Sequence, residues 1–158
     1  MLLAGVLFVS SGTRNRLKLM GQEQNSVALV IIDDNPLSAE FVAAALEREG
    51  LKIFSACHPK EGLDLIYKHH PQVVVTDLAL PEMNGFELLD RVMKFDPSTK
   101  VVIITAYASK SSAEAARKRH AVDYLAKPIP LALLRERVGG LIDEALQQSR
   151  NGTDPRLT

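Results

Sequence analysis

Four places in this sequence carry groups that could do chemistry together: the pair Asp33-Asp34, then Asp77, Thr105 and Lys127. Each stands at or just past the end of a short, mostly apolar run. The groups are carboxylates, a hydroxyl and an ammonium, with no cysteine or histidine among them. Carboxylates gathered at one point repel, by about 4 kcal/mol for a pair ~4 Å apart at an effective dielectric near 20. A cation must offset this, or a pKa must rise. An all-oxygen donor set suits a hard ion, and Mg²⁺ tolerates a few carboxylates alongside waters and phosphate oxygens. Lys127 adds a fixed positive charge and Thr105 a hydroxyl donor. An aspartate in such company could attack a phosphoryl group in line, while metal and lysine neutralise charge on the phosphoryl oxygens.

For these groups to meet, the chain must bring four run ends to one edge. The stretch Pro71 to Gly85, PQVVVTDLALPEMNG, organises the rest. Val73, Val74 and Val75 are β-branched and apolar, as in a strand buried on both faces of a parallel sheet. The run ends at Thr76-Asp77. Pro81 stops the extended segment and Asn84-Gly85 opens a new element. An acid held at the tip of a buried strand is costly unless a charge meets it.

The same grammar runs through residues 26–148. Val27 to Ile32 reads as a strand ending in Asp33-Asp34-Asn35-Pro36, with Pro36 in the first turn of a helix and Asn35 or Asp34 as its cap. Leu37, Phe41, Val42, Ala45 and Leu46 follow helical spacing, with Gly50 as C-terminal cap. Leu51 to Ala56 reads as a strand and Pro59 to His69 as a helix with Leu63, Leu65 and Ile66 on its apolar face. Gln72 to Thr76 is the central strand, and Gly85 to Phe95 a helix. Lys100 to Ile104 is the fourth strand. Ser111 to Arg119 is a polar, alanine-rich helix with a thin apolar stripe, expected to be the most mobile. Ala121 to Leu125 is the fifth strand. Leu131 to Gln148 is a last helix, expected to bend or end early at Gly139-Gly140, each glycine costing about 1 kcal/mol in a helix interior. Strands alternating with helices predict an α/β fold: a parallel sheet, helices on both faces, right-handed crossovers, and ligands beyond the carboxyl ends of the strands.

Composition narrows the class. The chain has 158 residues, long enough for one domain with a sizeable core. Lys+Arg and Asp+Glu are both 19, so no overall charge favours nucleic acid, and no nucleic-acid partner is expected. The single cysteine, Cys57, excludes an intramolecular disulfide and fits a reducing, cytoplasmic setting. Cys57 and His58 lack further ligands at zinc spacing. Residues 1–25 differ from the rest and are expected to be a disordered or loosely packed extension. Leu2 to Val9 is too short to span a bilayer. Arg14, Arg16 and Lys18 follow it, the reverse of a secretory signal. Translation from Met20 is a second reading, and no membrane partner is expected. Residues 149–158 read as a polar tail.

Taken together, the acidic pair in VIIDDNP, the acceptor in VVVTDLALPEMNG, the hydroxyl in VVIITAYA and the lysine in YLAKPI resemble the response regulator receiver domains of two-component signalling. Any one motif is weak, but all four in order at strand ends are specific. The resemblance covers residues 26–148 and implies a flavodoxin-like, doubly wound five-stranded sheet with strand order 2-1-3-4-5. It implies that Asp77 is the phosphorylation site. Asp33, Asp34, Asp77 and the backbone carbonyl of Ala79 would hold Mg²⁺, while Thr105 and Lys127 would contact the phosphoryl group. Tyr124 would be the switch aromatic that turns inward as Thr105 moves, and the Lys127-Pro128 peptide would be cis. The implied donor is a sensor histidine kinase or histidine phosphotransfer protein. The readout face would comprise the fourth helix, the fifth strand and the last helix. It would serve a downstream protein partner, an output domain beyond this stretch, or a homodimer. The stretch IITAYAS…AVDYLAKPI is similar to receivers that precede ATPase modules in nitrogen-regulatory transcription factors.

Two positions depart from the family pattern. His120 stands where glycine is usual, and would be strained if left-handed. Ala79 cannot orient a hydrolytic water through a side-chain hydrogen bond. Each assignment also has a plainer rival: Asp33-Asp34 capping a helix, Asp77 in a turn, Thr105 ending a strand, Lys127 solvated, Tyr124 as packing. The four histidines read as surface residues. A phosphohydrolase with an aspartyl intermediate would want an acid two residues past its nucleophile on the first strand, where Asn35 and Pro36 stand instead. A nucleotide-binding role lacks a glycine-rich loop after the first strand. A receiver that works without phosphorylation would usually lack one of the acids, the hydroxyl or the lysine. The expectation is therefore a phosphoacceptor switch and not an enzyme with turnover.

Overall fold

The computed structural model describes residues 26–153, so the expectations for residues 1–25, including a start at Met20, and for the end of the tail lie outside the described residues. Ten elements alternate: β1 (Val27–Ile32), α1 (Pro36–Leu46), β2 (Leu51–Ala56), α2 (Pro59–His69), β3 (Val73–Thr76), α3 (Gly85–Phe95), β4 (Lys100–Thr105), α4 (Lys110–Lys118), β5 (Asp123–Ala126) and α5 (Leu131–Arg150). The sheet is five-stranded with order β2-β1-β3-β4-β5, and every pairing is parallel. This is the doubly wound arrangement the sequence predicts.

Period-two alternation sends the strand side chains into two cores. Leu29 and Ile31 of β1, Val73 and Val75 of β3, and Val102 and Ile104 of β4 pack with α1 and α5. Val30 and Ile32, Val74, and Val101 and Ile103 face the other way, against α2, α3 and α4. Burying one such side chain is worth roughly 1.5–3 kcal/mol, so β1, β3 and β4 are held firmly from both sides.

Caps place the helix starts. Asn35 Oδ1 accepts from the N–H of Leu37 at 3.0 Å, with Pro36 in the first turn of α1. Asn84 Oδ1 accepts from the N–H of Glu87 at 3.0 Å and starts α3. Gly85 follows because nothing larger fits: a Cβ there would lie 2.4 Å from the carbonyl oxygen of Asp77. The first turn of α3 thus rests directly on the backbone of the acidic residue.

The elements depart from the sequence reading in several places. Helix α1 ends at Leu46, and Gly50 lies in the turn before β2 at φ +82° rather than capping the helix. The guanidinium of Arg48 takes over that end, its Nε donating to the Leu46 carbonyl at 3.0 Å. Val42, Ala45 and Leu46 are buried as predicted, but Leu37 and Phe41 are 73% and 45% exposed, and Ala39 completes the buried stripe of α1. A helix apolar around most of its circumference does not reveal by spacing which side faces the sheet. Helix α5 runs unbroken to Arg150 through Gly139-Gly140. There Arg48 Nη1 donates to the Gly139 carbonyl at 3.1 Å, and a Cβ on Gly139 would fall 2.9 Å from Arg48 Nη2. Gly139 clears a path for the Arg48 side chain, from the turn between α1 and β2, and does not bend α5.

Strand β5 begins at Asp123, two residues later than predicted, because Ala121 still belongs to the end of α4. The N–H of Ala121 donates to the Ala116 carbonyl at 3.1 Å and that of His120 to Arg117 at 3.0 Å. This is a Schellman motif with His120 in the left-handed position, at φ +70°.

Candidate functional site

Backbone bonds carry the ladder one residue past the strands and so fix the acids. The N–H of Asp33 donates to the Ala56 carbonyl at 3.1 Å, and that of Asp77 to the Ile32 carbonyl at 3.0 Å. Lys127 follows β5, its N–H donating to the Thr105 carbonyl at 2.9 Å. The peptide between Lys127 and Pro128 is cis, as expected.

The side chains converge at this carboxyl-end rim. Lys127 Nζ donates to Asp33 Oδ2 at 2.6 Å and to Asp77 Oδ2 at 2.9 Å. Both acids are nearly enclosed, Asp33 at 5% exposure and Asp77 at 6%, whereas Asp34 is open to solvent. The remaining oxygens of the two buried acids are also engaged. The N–H of Asn35 donates to Asp33 Oδ1 at 3.0 Å, and that of Ala79 to Asp77 Oδ1 at 3.1 Å. The Thr76 hydroxyl donates to the Asp77 carbonyl at 3.0 Å.

Burial pushes the Asp33 carboxyl upward. The Lys127 ammonium, the Asn35 N–H and the Ser38 hydroxyl pull it down by more, so it lies below the ordinary carboxylate value. Burial likewise pushes the Lys127 ammonium downward, and its hydrogen bonds to Asp33 and Asp77 raise it above the ordinary value of 10.5. The Lys127 ammonium thus stands between the two buried acids, Asp33 and Asp77, with Asp34 at the mouth.

Asp33, Asp34 and Asp77 each present an oxygen within 4.8 Å of the others. Three hard oxygen donors, one opening to water, fit a small divalent cation that keeps several waters. One ammonium leaves the three acids with a net negative charge, which such an ion would offset. The acidic triad could therefore hold a metal ion, and its oxygen donors are consistent with Mg²⁺, with Lys127 as a fixed counter-charge beside it.

Of the other predicted residues, Thr105 is fully buried at the end of β4, its Oγ1 accepting from the N–H of Tyr107 at 3.2 Å. Ala79 enters through its N–H. Tyr124 is turned to a different neighbourhood: its hydroxyl lies 2.5 Å from Ser112 Oγ and accepts from the N–H of Ser109 at 3.4 Å. Sequence reasoning missed Asn35 as a donor to Asp33, and missed the serines around Tyr124. The spacing of Ser109 and Ser112 was the available signal for a capping box, obscured because serine stands where glutamate or glutamine is usual.

Comparison with known proteins bears on the whole arrangement. A profile of the family described as "Response regulator receiver domain" matches residues 29–139. A 14.6 kDa protein of Leptolyngbya boryana, described as uncharacterized, is 36% identical over 110 residues, covering 68% of this chain and 84% of that one. "Transcriptional regulatory protein GlrR" of Escherichia coli K12 is 32% identical over 128 residues, covering 81% of this chain but 28% of that one. Among solved structures, a CheY-like receiver domain protein from Methanospirillum hungatei JF-1 superposes with a TM-score of 0.71 at 28% identity, covering 78% of this chain and 98% of that one.

Proposed function

Because the chain belongs to the response regulator receiver domain family, we propose that it is a phosphorylation switch whose acceptor is Asp77. The observation that carries this reading is the triad of acids within 4.8 Å of one another, with Lys127 Nζ 2.9 Å from the Asp77 carboxylate.

In this reading a carboxylate oxygen of Asp77 attacks the phosphorus of a phosphohistidine on a sensor kinase or phosphotransfer protein. A P–O bond forms, the P–N bond breaks, and the leaving imidazole nitrogen keeps the electron pair and takes a proton. Asp33 and Asp34, with Asp77 and the Ala79 carbonyl, would hold Mg²⁺, which when bound supplies charge neutralisation for the phosphoryl oxygens. Lys127 keeps contact with the acceptor side and stabilises the same charge through a preformed ammonium. The Thr105 hydroxyl exchanges the Tyr107 N–H for a phosphoryl oxygen. The phosphoryl group carries about −1.5 to −2 charge in place of the single charge of the carboxylate, and it moves that charge outward from the rim. That change biases two states of the face built from α4, β5 and α5, read by a partner protein, an attached output module or a second copy of the chain.

The test is labelling with acetyl phosphate, read as intact mass. With Mg²⁺ the chain should gain one PO₃ unit. Asp34→Ala should raise the Mg²⁺ concentration needed, and labelling indifferent to both Mg²⁺ and Asp34 would overturn the reading.

A further inference from the structure

The Tyr124 hydroxyl is not free to move on its own. Ser109 caps α4: its Oγ accepts from the N–H of Ser112 at 3.1 Å, while Ser112 Oγ returns to accept from the N–H of Ser109 at 3.2 Å. The two hydroxyls are 2.7 Å apart. Tyr124 closes this capping box from outside, its hydroxyl 2.5 Å from Ser112 Oγ and also within reach of the Ser109 N–H. A side chain from β5 thereby becomes part of the start of α4.

This matters because α4 has little else to hold it. Ala116 is its one buried residue among those described. Its face toward β5 is lined by Ala113, Ala116 and Arg117, which leave a cavity of about 210 Å³ against Ala121 to Tyr124. Beyond that face, Arg119 at its C-terminal end pairs with Asp90 and lies over the Phe86 ring at 5.4 Å. The first turn therefore relies on the hydroxyl cluster. The loop that leads into it, Ala106 to Ala108, is pinned at its other end by the Tyr107 N–H on Thr105 Oγ1.

We propose that Ser109, Ser112 and Tyr124 form a hydroxyl latch that fixes the orientation of Tyr124 and the order of the first turn of α4 together. That Tyr124 follows Thr105 is what membership of the family implies. The new element is that the two serines tie this movement to the cap of α4, so that a phosphoryl group recruiting the Thr105 hydroxyl releases the loop and opens the latch. The link to Thr105 rests on the phosphoacceptor reading; the latch itself does not. Release of Thr105 frees the Tyr107 N–H. The loop then shifts, the Ser109 cap loses its geometry, and Tyr124 leaves with its hydroxyl unpaired from Ser112. Tyr124 and the first turn of α4 thus move as one unit.

Amide hydrogen exchange by NMR on the full chain tests both parts. In the absence of any phosphodonor, Tyr124→Phe keeps the ring but removes the hydroxyl. It should speed exchange at the Ser112 and Ala113 N–H groups about five- to tenfold, the loss expected for one net hydrogen bond. The Leu89 and Ile103 amides should be unchanged. Ser112→Ala should do the same, and combining the two should add little. Unchanged exchange at Ser112 and Ala113 in Tyr124→Phe, or full additivity with Ser112→Ala, would overturn the latch. In a second arm, beryllofluoride with Mg²⁺ stands in for the phosphoryl group. It should speed exchange at Ser109 to Ala113 in the wild type and add little in Tyr124→Phe. Binding that leaves α4 unchanged would overturn the link to Thr105. Failure of the wild type to bind beryllofluoride would count against the acceptor reading, while the first arm would still decide the latch.

Discussion

The rim holding Asp33, Asp77 and Lys127 and the edge formed by α4 and β5 are held by different forces. At the rim, charged groups are fastened to strands whose apolar residues are buried on both faces. Ladder bonds continue through Asp33 and Asp77. At the edge, α4 buries one alanine among the described residues and leans on hydroxyls and the ion pair of Arg119 with Asp90. Apolar burial is strong and indifferent to side-chain orientation, whereas hydroxyl networks are weak and directional. A molecule that must keep a reactive carboxylate in place while moving something in response would divide its parts in this way.

The contrast can be broken first at Lys127. A charge-assisted hydrogen bond is worth roughly 1.5–3 kcal/mol, so Lys127→Ala should slow labelling by acetyl phosphate about 10- to 100-fold at saturating Mg²⁺. Labelling at the wild-type rate would mean that the rim does not depend on its ammonium.

The core on which each region stands offers the next comparison. Ile103, fully buried in β4, should cost about 2–5 kcal/mol when replaced by alanine, as read by urea unfolding. Ala116→Gly in α4 should cost only about 1 kcal/mol beyond its lost methyl. Equal losses would show that α4 is tied as tightly as the sheet.

A smaller effect sharpens the same point. His120 sits at φ +70° in the Schellman end of α4. His120→Gly should stabilise the protein by up to about 1 kcal/mol, through relief of the left-handed strain. A loss of stability would instead show that the imidazole makes contacts that outweigh the strain.

The smallest effect separates the regions by pH. Asp123 lies below the ordinary carboxylate value, chiefly through its hydrogen bonds with Arg137, against some burial. Its contribution is complete above 3.8, the ordinary value, and is lost as pH falls through the depressed folded value. Asp33 behaves the same way at the rim. Lys127, raised above 10.5, contributes fully below that value and loses its contribution as pH rises through the folded one. Acid should therefore weaken both regions and alkali above 10.5 the rim first. Histidine-free NMR probes such as the Ala79 and Asp123 amides would report each region separately, and simultaneous alkaline changes in both would erase the distinction.

The rim was legible in the sequence because it is written locally. Apolar runs ending in Asp33, Asp77 and Thr105 give strand, tip and chemical group within a few residues. Parallel order then sends all the tips to one edge. The edge was less legible. The bond between Tyr124 and Ser112 joins two elements, and serine does not signal a partner 12 positions away. Gly139-Gly140 suggested a break in α5, but the reason for Gly139 is Arg48, 91 residues earlier. Leu37 and Phe41 shared helical spacing with Val42 and Leu46, and only the packed sheet shows which stripe of α1 is buried. Residues whose role depends on a distant partner were the ones that local pattern could not place.

The most direct measurement is the location of the phosphoryl group itself. The chain is labelled with acetyl phosphate and Mg²⁺, reduced with borohydride, digested and mapped by mass spectrometry. An acyl phosphate on Asp77 is reduced to homoserine, so the peptide containing Val73 to Gly85 should carry homoserine at position 77 and Asp77→Asn should carry none. Homoserine at Asp33 or Asp34, or intact Asp77 in a chain that had gained phosphate, would contradict the account.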